Sequence, residues 1–208
     1  SAQRFKSVLA AEVASALAWA ALAGSDRIGG QIIGEYRESD IRAKRTKEAV
    51  LRFVRDLVTH NQQLPVTQPE QIDKKTGTPV SKTLAQVLEE CRRLTRPGTA
   101  IFVVSDFHDF DPASARALSL LGRHTDISLI QIVDELEQQI PFSGQVSISD
   151  GKQRSSVQLT GRVRDAFEAQ YQTRQAALHK AAVRARALYT QINTDANPRR
   201  ILTQLFSK

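Results

Sequence analysis

Apolar residues recur at helical spacing near the start of the chain, at Phe5, Leu9, Val13, Ala16 and Ala20. Together with the high Ala and Leu content, this spacing predicts a helix over 5–23. The segment 27–34 is short, apolar and bounded by Gly, which is typical of a strand that another backbone approaches closely. An apolar face among basic residues then predicts a second helix over 41–60.

Apolar runs and helical segments alternate through the middle of the chain. A loop is predicted over 61–80, followed by a helix over 82–95 with Ser81 as its N-cap. The fully apolar run 100–104 is typical of a central strand in a parallel sheet, and 127–133 is a second buried strand. A helix over 112–122 lies between them. This order predicts an α/β fold with a mostly parallel sheet, right-handed crossovers and helices on both faces.

Two further patterns follow in the last third of the sequence. Short alternating segments on either side of Asp150 and Gly151 predict a β-hairpin inserted at about 143–160. A long basic helix is predicted over 162–188, then a short strand over 188–192 and a short helix over 198–206. No repeat or linker interrupts the pattern, so we expect a single domain over 1–208.

Composition restricts the environment of the chain. Its 208 residues include one cysteine, Cys91, and no Met. A lone cysteine on an apolar helix face is typical of a core position, and the absence of a possible internal disulfide fits a cytoplasmic protein. The apolar segment 8–23 is rich in Ala and contains Glu12, which favours a core helix over a membrane span. We therefore expect a cytoplasmic location and no membrane contact from this chain.

The formal net charge of +7 permits binding to nucleic acid or to an acidic partner. Aromatic residues make up 6% of the chain and are not interleaved with the basic ones, as they would be in a platform for single strands. The arginines of 162–188 point in several directions around the predicted helix. We therefore favour a protein surface, with a nucleic-acid-binding module using this helix as the alternative.

Acidic residues follow the two central predicted strands. Asp106 comes directly after Ser105, with His108 and Asp109 next, and Asp134 follows the second strand. Ligands of open α/β sheets bind at such strand ends, and carboxylate oxygens suit Mg²⁺. These acids also fit helix capping, most clearly at Asp111 before Pro112. A third hypothesis is a metal-dependent phosphohydrolase built on Asp106, Asp109 and Asp134. No Gly-rich phosphate loop or nucleophile elbow is present, so we expect a non-enzymatic domain.

The segment 96–107, RPGTAIFVVSDF, resembles the central strand of the family called domain of unknown function 58, which is von Willebrand factor A-like. Segments in matching order support the resemblance at 4–7, 24–30, 134–141, 149–151 and 193–195. The family resemblance implies a Rossmann-like sheet and a metal-ion-dependent adhesion site for Mg²⁺.

The resemblance also implies specific ligands and a partner. Asp106 would be one metal ligand and a threonine another, with Thr83 favoured and Thr78 and Ser81 competing. The Asp-x-Ser-x-Ser loop that supplies the other ligands is expected upstream of Ser1, so this chain alone should bind Mg²⁺ weakly or not at all. Such proteins are thought to act with MoxR-type AAA+ ATPases in assembly or maturation of other proteins. We expect an adaptor whose partner is such an ATPase or its client. The residues that would face the partner are Ser105, His108, Asp109 and Asp134.

Overall fold

A computed structural model describes residues 5–34, 37–62, 82–134, 137, 144–149, 154–197 and 203. Tertiary contacts divide the chain into two compact units, one of Ser1–Ser81 with Asp195–Lys208 and the other of Lys82–Thr194. The single domain over 1–208 therefore stays a prediction. The predicted helix over 198–206 and residues 63–80 of the predicted loop lie outside the described residues.

Two long helices and a β-ribbon lie within the described residues of the first unit. Helices α1 (Lys6–Ala23) and α2 (Lys47–Gln62) pack against each other and against strand β1 (Ile28–Ile33), which pairs antiparallel with β2 (Glu38–Lys44). Burial of apolar side chains stabilises this arrangement. The buried cluster consists of Ala18, Ile28, Ile32, Ile41, Ala49, Val50 and Phe53.

The predicted start of the second helix at residue 41 is wrong, because Glu38–Lys44 is strand β2. Ile41 is buried while Asp40 and Arg42 are exposed, which is the alternation of a half-buried strand. The strand lies so close to β1 that a Cβ on Gly29 would be 2.7 Å from the Ile41 carbonyl oxygen. Helix α2 begins only at Lys47, where the Oγ1 of Thr46 accepts the backbone N–H of Ala49 at 3.2 Å.

Helix α1 is long and apolar enough to cross a membrane by length and composition, with a mean hydropathy of 1.4. In the structure it packs against α2 and β1 and buries Leu9, Val13 and Leu17. Trp19 on the same helix is 40% exposed. Only 17% of the segment is buried, whereas a core helix is mostly buried, so the core-helix interpretation and the cytoplasmic location both stay predictions.

The second unit contains a three-stranded parallel sheet. Its elements in chain order are α3 (Leu84–Leu94), β3 (Ala100–Ser105), α4 (Pro112–Leu121), β4 (Asp126–Val133), β5 (Gly144–Ser149), β6 (Arg154–Leu159), α5 (Gly161–Ala185) and β7 (Leu188–Asn193). The sheet order is β3-β4-β7, and both pairings are parallel. The predicted α/β fold with a parallel sheet is thereby confirmed. Strands β5 and β6 form the predicted antiparallel hairpin.

Strand β4, rather than β3, is central in the described sheet. The prediction of a central β3 is wrong here, and the burial of side chains shows the difference. Residues 129–133 of β4 are all buried, whereas Phe102 of β3 is 38% exposed. Ile127 and Leu129 belong to the same buried cluster as residues of α3, α4 and α5, and Ile130 is buried on the opposite face of the sheet.

The helix ends of this unit follow from local sequence. Thr83, not Ser81, is the N-cap of α3: its Oγ1 accepts the Gln86 N–H at 3.3 Å, and the Gln86 side chain accepts the Thr83 N–H. Ser81 lies outside the described residues. Asp111 caps α4 with Pro112 at the first helical position, as predicted. Helix α5 ends at Ala185 rather than at Leu188, which is the first residue of β7.

Candidate functional site

Asp106 lies directly after β3, at the carboxyl end of the strand, as predicted. Its Oδ1 accepts the backbone N–H of His108 at 3.2 Å. The Oγ of the preceding Ser105 accepts the backbone N–H of Phe107 at 3.0 Å. Two adjacent side chains thus bond to the backbone two residues ahead, which is the pattern of Asx- and Ser-turns. The chain therefore leaves the strand through a defined tight turn over residues 105–108.

Phe107 anchors this turn in the apolar core. Its backbone is left-handed, with φ of 53°, which is unfavourable for a residue with a large side chain. The side chain is only 4% exposed and meets Phe110 edge to face, with ring centroids 6.5 Å apart. Burial of the Phe107 ring offsets the cost of the backbone conformation, and this combination fixes the direction of the strand-end turn.

Gln131 of β4 holds the turn from the neighbouring strand. It is 5% exposed, and its Nε2 donates to the carbonyl oxygen of Asp106 at 3.2 Å. Its Oε1 accepts from Nε2 of Gln191 at 3.1 Å. Gln131 is not among the predicted site residues, although one amide inside the apolar run 127–133 was a usable signal, since a buried polar side chain needs partners.

A polar cluster between the sheet and α5 completes these contacts. The Tyr189 hydroxyl contacts Oε1 of Gln131 and lies 2.9 Å from Oε1 of Gln175, which also accepts from Gln191 at 3.1 Å. Burial raises the pKa of Tyr189 from its ordinary value of 10.0 to about 12, so its hydroxyl keeps its proton even at alkaline pH near 10. Burial likewise raises the pKa of Tyr171. The cluster connects Asp106 with α5 through hydrogen bonds of neutral groups.

Helix α5 also contributes a cation near the turn. Nη1 of Arg174 lies 3.1 Å from Nδ1 of His108, and His108 is exposed. Because the guanidinium can only donate, Nδ1 must accept in this contact. One arginine of the basic helix, Arg174, thus contacts the strand-end turn. Arg162 and Arg184 are exposed near the two ends of the helix.

Asp134 follows β4 and takes part in a second strand-end contact. Its Oδ2 accepts the hydroxyl of Thr194 at 3.2 Å, and the Thr194 backbone N–H donates to the carbonyl of Val133 at 3.0 Å. Thr194 is 5% exposed. The contact joins the ends of β4 and β7, so Asp134 has a structural partner of its own.

Of the remaining predicted acids, Asp111 is a helix cap and Asp109 is exposed. The Asp111 carboxylate accepts both the backbone N–H and the hydroxyl of Ser114 at 2.7 Å. These bonds hold its pKa below the usual value. Asp109 lies between this cap and the Asp106 turn. The capping interpretation of Asp111 is confirmed.

The described residues do not fit a complete metal site. Within them, no group of three or more His, Cys, Asp or Glu side chains is placed to hold an ion. Thr83 uses its hydroxyl as the N-cap of α3, and Thr78 and Ser81 lie outside the described residues. Leu84, the residue after Thr83, packs against the apolar cluster that contains Phe107, the residue after Asp106. The two predicted ligands, Asp106 and Thr83, are therefore both next in sequence to residues of this cluster. Metal binding by Asp106 and Thr83 stays a prediction.

Two solved structures that are similar to this chain come from Bacteroides species. The conserved hypothetical protein BatB from Bacteroides thetaiotaomicron is 11% identical with a TM-score of 0.51, and the match covers 95% of this chain and 85% of that one. An aerotolerance-related membrane protein from Bacteroides fragilis is also 11% identical, with a TM-score of 0.43 over 95% and 89% of the two chains. The first likeness shows a shared fold. No curated protein matches the sequence.

The family assignment comes from the sequence itself. The segments that resemble the family run from the first helix to the end of β7, and the central one contains the Ser105–Asp106–Phe107 turn described above. The family described as protein of unknown function DUF58 matches residues 1–178, which is most of the chain. This chain therefore belongs to the DUF58 family.

Proposed function

We propose that this chain is a non-enzymatic protein-interaction domain that binds its partner through the strand-end turn around Asp106. The partner we propose is a MoxR-type AAA+ ATPase or its client, in the assembly or maturation of protein complexes. The observation that carries the proposal is the turn over residues 105–108, which is fixed by two side-chain bonds and a buried aromatic anchor.

A fixed turn is suited to recognition because binding then costs little conformational entropy. The Asp106 carboxylate is half-buried, while His108 and Asp109 are exposed beside it. Gln131 supports the turn from the neighbouring strand, and Arg174 supports His108 from α5. A partner would therefore meet an acid, an imidazole and a guanidinium held by rigid elements.

The same contacts favour recognition over the phosphohydrolase hypothesis. That hypothesis needs Asp106, Asp109 and Asp134 to converge on one ion. In the described part of the chain, Asp134 accepts a bond from Thr194 and Asp106 accepts one from the His108 backbone. Asp106 and Asp134 thus each stabilise a different strand end by a hydrogen bond. A partner that uses ATP also fits a cytoplasmic location, and we propose that location for this chain.

Binding of a purified MoxR-type ATPase from the same genome tests the proposal. Asp106→Asn keeps an oxygen that can accept from His108 and removes only the charge, so the fold should persist. We expect it to weaken binding by about tenfold or more, as loss of a central interface charge does. Asp40→Asn, at an exposed position of β2, is the matched control and should bind like wild type.

Two results would contradict the proposal in different ways. Equal binding by wild type and Asp106→Asn would remove the turn from the interface. Failure of every MoxR-type ATPase of that genome to bind the folded chain would refute the proposed partner.

A further inference from the structure

We propose a second interaction surface at the opposite edge of the parallel sheet, which binds an acidic, partly apolar segment of a partner protein. This surface, here called the basic edge, comprises the last turns of α3, α4 and α5 and the turns 95–99, 122–125 and 186–187 that lead into β3, β4 and β7. It lies at the amino ends of the strands, whereas Asp106 lies at a carboxyl end, so it is separate from the strand-end turn.

The three turns of the basic edge lie against one another. The Gly98 N–H donates to the His124 carbonyl at 3.3 Å, and the Asp126 N–H donates to the Thr99 carbonyl at 3.1 Å. A Cβ on Gly122 would lie 2.3 Å from the carbonyl oxygen of Ala185, so α4 and α5 end in direct backbone contact. The turns therefore form one continuous surface.

This surface carries exposed arginines from all three turns. Arg96, Arg123 and Arg186 lie in the turns, and Arg93 and Arg184 lie in the last turns of α3 and α5. Within the described residues none of these has an ion pair, in contrast to Arg92, which pairs with Glu89 at 2.9 Å. Asp126 is an acid on the same edge. Cations near helix C-termini offset the helix dipole, but that effect is confined to the last turn of each helix. Arg96 and Arg123 lie beyond the helix ends, so the dipole does not account for them.

Arg186 occupies a position where the backbone favours glycine. As the C-cap of α5 it is left-handed, with φ of 55° and ψ of 30°. Glycine is the usual residue at such a helix end, because it adopts this conformation without strain. Arg186 adopts this conformation in spite of the strain, and unfavourable backbone conformations of this kind cluster at functional positions.

Large apolar side chains are exposed among the arginines. Leu94 is 65% exposed, Val183 is 68% exposed and Leu188 is 70% exposed. Guanidinium groups pair with carboxylates in two parallel bonds, and exposed leucines beside them suit apolar side chains of the same segment. A nucleic acid would instead be expected to use aromatic residues or a stripe of cations. The combination favours an acidic protein segment.

Fluorescence anisotropy at physiological salt tests the basic edge with three labelled probes. These are a peptide of alternating Glu and Leu, a Glu and Ser peptide of equal charge, and a DNA duplex of matched charge. The Glu and Leu peptide should bind most tightly. The Arg123→Glu, Arg186→Glu double variant should weaken its binding by about tenfold or more. The Arg52→Glu, Arg55→Glu variant of α2 changes the net charge equally at exposed positions and should change binding less than about twofold.

Two further variants separate binding from folding. Leu94→Ser with Leu188→Ser should lower binding of the Glu and Leu peptide to that of the Glu and Ser peptide. Arg186→Gly suits the backbone, so it should unfold at or above the wild-type temperature and still bind the peptide more weakly. Tighter binding of the duplex than of either peptide would replace the proposal with nucleic-acid binding. The proposal would be refuted if the Arg52→Glu, Arg55→Glu control lost as much peptide binding as the Arg123→Glu, Arg186→Glu variant, or if Arg186→Gly bound the peptide like wild type.

Discussion

Replacing Gly122 with alanine tests the backbone contact between α4 and α5. The Gly122 conformation, with φ of −67°, accepts any residue, so the backbone itself presents no obstacle. The new Cβ, however, would lie 2.3 Å from the Ala185 carbonyl oxygen, and real Cβ atoms essentially never come closer than 3.0 Å. The two helix ends must therefore separate by about 0.7 Å in a tightly packed region.

The magnitude follows from two opposing effects. Overpacking of this kind costs about 1–3 kcal/mol. The lower entropy of the unfolded alanine chain returns about 0.4–1 kcal/mol. We expect the free energy of unfolding to fall by about 1–2 kcal/mol, which lowers the midpoint temperature by about 2–8 °C in a chain of this size.

Thermal and urea unfolding followed by far-UV circular dichroism would measure this loss. Gly161→Ala is the matched control, since a Cβ there meets nothing within 4 Å. It should be neutral or stabilising by up to about 1 kcal/mol. The reasoning is refuted if Gly122→Ala is as stable as the Gly161→Ala control.

Four further variants test the core and the pH dependence of stability. Leu118→Ala, at a side chain 1% exposed, should lose about 3 kcal/mol in urea unfolding, whereas Leu120→Ala, at one 38% exposed, should lose less than about 1 kcal/mol. Burial lowers the pKa of His60, so its stabilising contribution is present above the ordinary value of 6.5 and is lost as the pH falls below it. His60→Gln should therefore show a flatter stability profile below pH 6.5. The raised pKa of Tyr189, about 12, stabilises the fold below its ordinary value of 10.0, and that contribution is lost as the pH rises from there. Tyr189→Phe should be less sensitive to alkali than wild type, and an unchanged profile in either variant would contradict the assigned group.

Local signals in the sequence predicted the elements whose ends are determined locally. Asp111 before Pro112 indicated a helix start because the cap and the first turn are set by neighbouring residues. The apolar run before Asp106 likewise placed that acid at a strand end. The end of α5 was overestimated because helix propensity continues through Arg186 and Ala187, whereas pairing with β4 begins at Leu188.

Elements that depend on distant partners were not predictable in the same way. Residues 41–44 have side chains that suit a helix, but pairing with Gly30 and its neighbours makes them a strand. The position of β3 within the sheet depends on which strands pair with it, and its apolar sequence does not encode that order. The cluster of Gln131, Gln175 and Tyr189 joins three separate elements, so only the isolated amide at 131 hinted at it.

The anchoring of Phe107 gives the strand-end turn a thermodynamic consequence. Glycine or asparagine would suit the left-handed backbone, yet neither could fill the space that the ring occupies in the core. The turn therefore keeps its conformation only while the surrounding cluster stays packed, and opening of one entails opening of the other. By linkage, a partner that binds the turn should slow hydrogen exchange of amides in α4 and β4 that it does not itself contact. The hydrogen-exchange rates of core amides would then report whether a partner is bound to the turn.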